Sequence, residues 1–208
     1  MNRLGFLLAR SLRREAPLRA ASIAPEALLA RFAGQNIALV GNARGLARAA
    51  HGASIDLAQT VIRINRAPMP SPVSHGARTD VLALATSLDA KALDRLNPEL
   101  TLWMSHKRKR LPWHVVKRPG FYLHPLPAYE ALKRRLKAPP TTGLMLIDLL
   151  ARSEAAHVTL YGFDFFASQS LSGRRRADQT PHDFAAEAAF VRNLIATDAR
   201  FTLKHHPA

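Results

Sequence analysis

The chain has 208 residues, 48% hydrophobic and 22% charged, and this suits one globular domain with a sizeable core, alone or with a short appendage. It contains no cysteine, which excludes disulfides, iron–sulfur clusters, thiolate zinc sites and cysteine nucleophiles, and no apolar run reaches the roughly 18 residues needed to cross a bilayer. A net charge of +15, from 30 Lys and Arg against 15 Asp and Glu, fits nucleic acid, anionic lipid or an anionic substrate as partner.

The first segment, M-N-R-L-G-F-L-L-A-R-S-L-R-R-E, predicts a short basic amphipathic helix with Leu4, Leu8 and Leu12 along one face. Arg10 interrupts the apolar run too early for a secretory signal. Two placements remain for it: on an anionic membrane surface, or packed on the domain. Residues 1–34 therefore read as a basic helical segment ahead of a domain spanning 35–208. Strands are predicted in order at Ile37–Val40, Thr60–Asn65, Val81–Ala85 and Leu100–Met104, then at Phe121–His124, Val158–Tyr161 and Arg200–Lys204. Helical spacing falls at Ser87–Leu96, Ala128–Lys137, Gly143–Ser153 and Asp183–Thr197, the last with Phe184, Ala188, Val191 and Ile195 as an apolar stripe. Ala67–Ala77 and Ser168–Thr180 read as loops. Strands separated by helices predict an α/β fold: a mostly parallel sheet of about seven strands, covered by helices on both faces. The basic clusters Lys107–Arg110 and Lys133–Lys137 read as solvated faces.

In such a sheet a ligand lies beyond the carboxyl ends of the strands. Gly41 and Asn42 follow the first strand, Asn65 ends the second, and Gly162 follows the sixth. Thr141, Thr142 and Gly143 open a helix whose unpaired N–H groups suit a phosphate or carboxylate. The Gly41 turn fails the dinucleotide pattern G-x-G-x-x-G, because Ala43 stands at the second glycine and Arg63 and Asn65 stand where a ribose-binding acid belongs. In P-H-D-F-A-A-E, Thr180 is the expected N-cap, Pro181 the first helical residue, and Asp183 the partner in a capping box. His182 would then sit at the positive end of a helix dipole, where a neutral imidazole able to accept a proton is favoured. The alternative is a histidine that decorates a helix cap.

Taken together these segments resemble glycosyltransferase family 29, the sialyltransferases. A-L-V-G-N (Ala38–Asn42), V-I-R-I-N-R-A-P (Val61–Pro68) and T-D-V (Thr79–Val81) are similar to the family's large motif. P-T-T-G-L (Pro140–Leu144) and L-Y-G-F (Leu160–Phe163) are similar to the small motif, and H-D-F-A-A-E to the very small motif. The resemblance implies a single-domain Rossmann-like catalytic fold (a GT-A variant). It also implies an inverting, metal-independent transfer from a CMP-activated acidic sugar to a glycan or glycolipid hydroxyl. No cofactor and no metal ligand are expected. His182 takes the place of the catalytic base, and Glu187 a supporting one. Gly41, Asn42, Asn65, Thr141, Thr142, Gly143 and Gly162 fall at donor- and nucleotide-binding positions.

Two departures stand out. The disulfide of the animal members has no counterpart, as in a bacterial-type relative in a reducing cytoplasm, peripheral on the inner face of the membrane. The third motif's histidine is also missing, since Asp164 to Pro181 contain none. Ser170, Ser172 and Arg174–Arg176 could stand in for it, on a loop able to close over the donor. The competing readings are a basic nucleic-acid-binding module, for which no standard motif is present, and an inactive relative that binds CMP.

Overall fold

The computed structural model describes residues 1–164 and 181–205. Seven strands form one sheet: β1 (Asn36–Val40), β2 (Thr60–Ile64), β3 (Val81–Leu84), β4 (Leu100–Trp103), β5 (Phe121–Leu123), β6 (His157–Tyr161) and β7 (Phe201–Leu203). All are parallel, in the order β5-β4-β3-β2-β1-β6-β7. Each coincides with a strand expected from sequence, with ends moved by a residue at most. The β-branched runs carried enough signal because these strands are buried on both faces.

Alternation along the strands divides the core in two. Ile37, Leu39, Ile62, Ile64, Val158 and Leu160 point to one face. There they meet α3 (Pro25–Phe32), α8 (Leu126–Leu136), α9 (Thr142–Ala151) and α10 (Phe184–Thr197), through residues such as Phe32, Leu132, Leu146 and Val191. Leu82, Leu84, Trp103, Phe121 and Leu123 point to the other face. That face is covered by α1 (Arg3–Ser11), α2 (Glu15–Ala20), α6 (Ala90–Leu96) and α7 (Trp113–Val116). The short helices α4 (Gly52–Asp56) and α5 (Pro72–His75) complete the set beside β1 and β2.

Local chemistry sets the helix ends. Asp89 caps α6 by accepting from Ala92 N at 2.8 Å, so the helix starts three residues after the expected Ser87. Asn97, in the left-handed conformation, closes it. In α10 the N-cap is Asp183, which accepts from Ala186 N at 2.9 Å, rather than Thr180. The acidic cap therefore moves the start to Phe184, and His182 stands just ahead of the helix instead of inside its first turn. Thr180 lies outside the described residues.

The N-terminal segment packs on the sheet, and it does so through an edge other than the one carrying Leu4, Leu8 and Leu12. Phe6 and Ala9 of α1 and Leu18 of α2 are buried. Phe6 meets Trp113 with ring centroids 5.4 Å apart, and full burial of such a side chain stabilises by roughly 2–3 kcal/mol. Leu4, Leu8 and Leu12 stay exposed. The Lys107–Arg110 cluster is not a uniformly solvated face either. Arg108 is buried, held by Glu15 at 2.6 Å and by the carbonyls of Ser105 and His124. A guanidinium needs such a full set of acceptors to lie under a surface.

Candidate active site

The strand order reverses at β1. The chain steps away from it through β2 to β5, then returns on its other side with β6 and β7. The carboxyl ends of β1 and β6 thus flank the crevice where an open α/β sheet binds its ligand. Gly41 N donates to Tyr161 O at 2.7 Å, and Ala43 N donates to Gly162 O at 3.1 Å, which joins the two strand ends. Gly162 has φ of 66°, a conformation glycine adopts without strain. A Cβ on Gly41 would collide with the Gly162 carbonyl oxygen, and no flexible side chain is there to yield. Gly41→Ala is expected to lower the melting temperature by about 5–10 °C in a thermal denaturation scan. An unchanged melting temperature would show that the two turns separate easily.

The two asparagines stitch neighbouring strand ends. Asn42 Nδ2 donates to Ile64 O at 3.2 Å, reaching from β1 to the end of β2. Asn65 has φ of 55°, and its Oδ1 accepts from Ala85 N at 2.9 Å, tying β2 to β3. Short polar side chains tolerate this left-handed geometry better than others. Both asparagines remain half-buried at the rim of the crevice. Arg63 belongs to the scaffold. It is 1% exposed, donates to the carbonyls of Arg78 at 2.7 Å and His75 at 2.6 Å, and burial lowers it to about 10 despite Asp56 and Asp80.

Phe163 links this turn to α9. A Cβ on Gly143 would lie 2.7 Å from Phe163 Cε1, and one on Gly41 would lie 3.2 Å from Phe163 Cδ2. Glycine at both positions lets the ring sit between the two backbones. Thr141 caps α9 by accepting from Leu144 N at 3.1 Å. Its own N and Oγ1 donate to the two carboxylate oxygens of Glu187, each at 2.7 Å. Glu187 is 3% exposed, and burial pushes its carboxyl up to about 7 against the lowering effect of those two bonds.

His182 meets the same segment from the other side. Its Nδ1 lies 2.7 Å from Pro139 O. A carbonyl only accepts, so Nδ1 carries the hydrogen and donates, and the neutral ring keeps its lone pair on Nε2. The ring is half-buried, with Phe184 at a centroid distance of 5.9 Å. His182, Glu187, Thr141, Thr142, Gly143, Gly41 and Gly162 are thereby brought together through Pro139 and Phe163. Phe163 was visible in the Leu160–Phe163 segment without a role, and nothing in the sequence marked the Pro139 carbonyl. Ser170, Ser172 and Arg174–Arg176 lie outside the described residues. Among the described residues no group of three or more His, Asp or Glu side chains is arranged to hold a metal ion.

No protein-family model and no curated protein sequence matches the chain. Solved structures do. A mammalian sialyltransferase in complex with Gal-beta-1-3GalNAc-ortho-nitrophenol superposes with a TM-score of 0.61 at 16% identity, over 84% of this chain and 70% of that one. The sialyltransferase CstII from Campylobacter jejuni in complex with the substrate analogue CMP-3FNeuAc gives 0.54 at 14% identity, over 81% and 80%. CstII with a trisaccharide acceptor and CMP gives 0.53 at 14% identity, over 80% of each chain. The fold is therefore that of sialyltransferases. The sheet of parallel strands flanked by helices is shared, at identities that establish architecture alone.

Proposed function

We propose that the protein is an inverting, metal-independent glycosyltransferase that moves sialic acid or a related acidic sugar from a CMP-linked donor to a hydroxyl of a glycan or glycolipid. The observation that carries this reading is the His182–Pro139 hydrogen bond. It leaves Nε2 as the ring nitrogen able to accept a proton, on a residue that directly precedes the N-cap of α10 in a sheet of the sialyltransferase type.

In the reaction, His182 Nε2 removes the proton from the acceptor hydroxyl as that oxygen attacks the anomeric carbon. The new carbon–oxygen bond forms on the face opposite the nucleotide while the bond to the phosphate oxygen breaks. CMP departs with the electron pair, and the proton stays on the imidazole. The first N–H groups of α9 lack intrahelical acceptors and favour the charge that builds on the phosphate. A metal is not required to make this leaving group viable, since the phosphate departs as a stabilised anion.

A thermal-shift comparison of CMP, UDP, NAD and ATP tests the reading. CMP at about 100 times its dissociation constant is expected to add roughly 2.7 kcal/mol and to raise the melting temperature by about 5–10 °C, with no comparable rise for the others. The charge of +15 favours a second reading, a nucleic-acid-binding module. Oligonucleotide binding that falls steeply with salt and ignores CMP would replace the transferase by that reading.

A further inference from the structure

Helix α1 has a second apolar edge that the fold leaves uncovered. Leu4, Leu8 and Leu12, spaced by four, are 78%, 56% and 54% exposed, and Met1 and Leu7 flank them in the open. The helix does not need this edge for its own anchorage. Phe6 and Ala9 are already buried, and Arg10 donates to Leu111 O at 3.0 Å with its guanidinium over the Phe6 ring. Single exposed leucines are ordinary on a protein surface, whereas a run of them along one fixed helix edge marks a contact site.

Cations lie at both ends of this edge. Arg3, Arg13 and Arg14 are exposed at its two ends. Arg13 also lines a cavity of about 460 Å³ with Lys107, Lys109 and Arg110, three exposed cations of the segment that follows β4. Glu15 is the one carboxylate among the residues lining that cavity, and buried Arg108 holds it at 2.6 Å. Its charge is thus already compensated, and among the described residues the exposed side chains lining the cavity are otherwise cationic or neutral, with Glu130 acting on His106 from beyond the lining.

We propose that α1 and this cationic rim form a docking surface for an anionic phospholipid bilayer, with the leucine edge entering the acyl boundary and the rim meeting lipid phosphates. An amphipathic helix lying in the interface needs both halves of this arrangement. Each basic residue near an anionic leaflet strengthens binding roughly fivefold, so the rim acts together with the leucines. A second copy of the chain is a poor occupant, because each copy has a net charge of +15 and would bring the same cationic rim to the contact. The surface stands on its own observations, whatever chemistry the crevice performs. It also has a defined orientation: the rim segment leaves the carboxyl end of β4, the same edge of the sheet that carries Asn42, Asn65 and Gly162. Docking therefore turns that edge toward the membrane.

The test uses the full chain and sedimentation with vesicles of mixed phosphatidylglycerol and phosphatidylcholine, against vesicles of phosphatidylcholine alone. The protein is expected to bind the first and not the second. A Leu4→Gln, Leu8→Gln, Leu12→Gln triple variant is expected to bind about 100-fold more weakly. A Lys107→Ser, Lys109→Ser, Arg110→Ser variant is expected to bind about 100-fold more weakly and with a shallower salt dependence. Glutamine keeps helix propensity and the leucines are exposed, so the melting temperature serves as the folding control. Equal binding of both vesicle types, full retention of binding by the leucine variant, or a dimer in solution that the leucine substitutions dissolve would each overturn the proposal.

Discussion

A His182→Ala protein is expected to fold, to bind CMP as the parent does, and to transfer sugar about 10²–10⁴-fold more slowly at saturating donor, the usual contribution of a positioned general base. The expectation follows from the ring's hydrogen bond to the Pro139 carbonyl, which fixes the donor nitrogen and leaves Nε2 to accept a proton. His182→Asn makes the assignment sharper. The asparagine amide can still donate to Pro139 from the position of Nδ1, but nothing replaces Nε2. Loss of turnover in both variants, measured by CMP release with a fixed acceptor, supports a catalytic base. Loss in alanine with recovery in asparagine would assign His182 to holding the α9 and α10 ends together, with no part in proton transfer.

The second large effect concerns Glu187. Its carboxyl is raised from 4.5 to about 7, chiefly by burial. Between those values the unfolded chain releases the proton before the folded one does, so the folded state binds more protons. This contribution to stability is fully present below about 4.5, declines as pH rises to about 7, and is then flat. A displacement of that size corresponds to roughly 3 kcal/mol. Glu187→Gln is expected to remove the decline, giving a variant at least as stable as the parent above pH ~7. An amide can still accept from Thr141 N and donate to Thr141 Oγ1. Glu187→Ala takes the acceptor from both part-buried Thr141 donors and opens a cavity, and is expected to lose about 2–4 kcal/mol. Denaturant titrations across the pH range check both. A parent protein whose stability is flat between pH ~5 and ~7, with the glutamine variant following the same curve, would place the carboxylate in an environment that solvates it.

The strands were legible because a parallel sheet buried on both faces must be built from near-continuous apolar runs, and most of these runs have Gly, Asn or Asp next to at least one end. The residues of the crevice were legible for a related reason. Polar and glycine residues that interrupt those runs, Gly41-Asn42, Asn65 and Gly162, mark the ends of the strands, and a doubly wound sheet collects its ligand at those ends. The start of α10 was less legible. Thr180, Pro181 and Asp183 all satisfy cap preferences, and only the bond from Ala186 N to Asp183 shows which one is used.

The sequence by itself determined the α/β class, the seven strands, the positive charge and the candidate chemistry of His182, because these depend on local pattern and on residue type. Tertiary structure alone decided what each polar group faces. It set the His182 tautomer through Pro139, buried Glu187 under Thr141, and seated Phe163 between two glycines. It also turned Phe6 inward, leaving Leu4, Leu8 and Leu12 outside. Helical spacing shows that two edges of α1 are apolar, but it does not rank them. The choice depends on which edge fills the space beside Trp113 and the sheet, a matter of shape that arises only once separate segments pack.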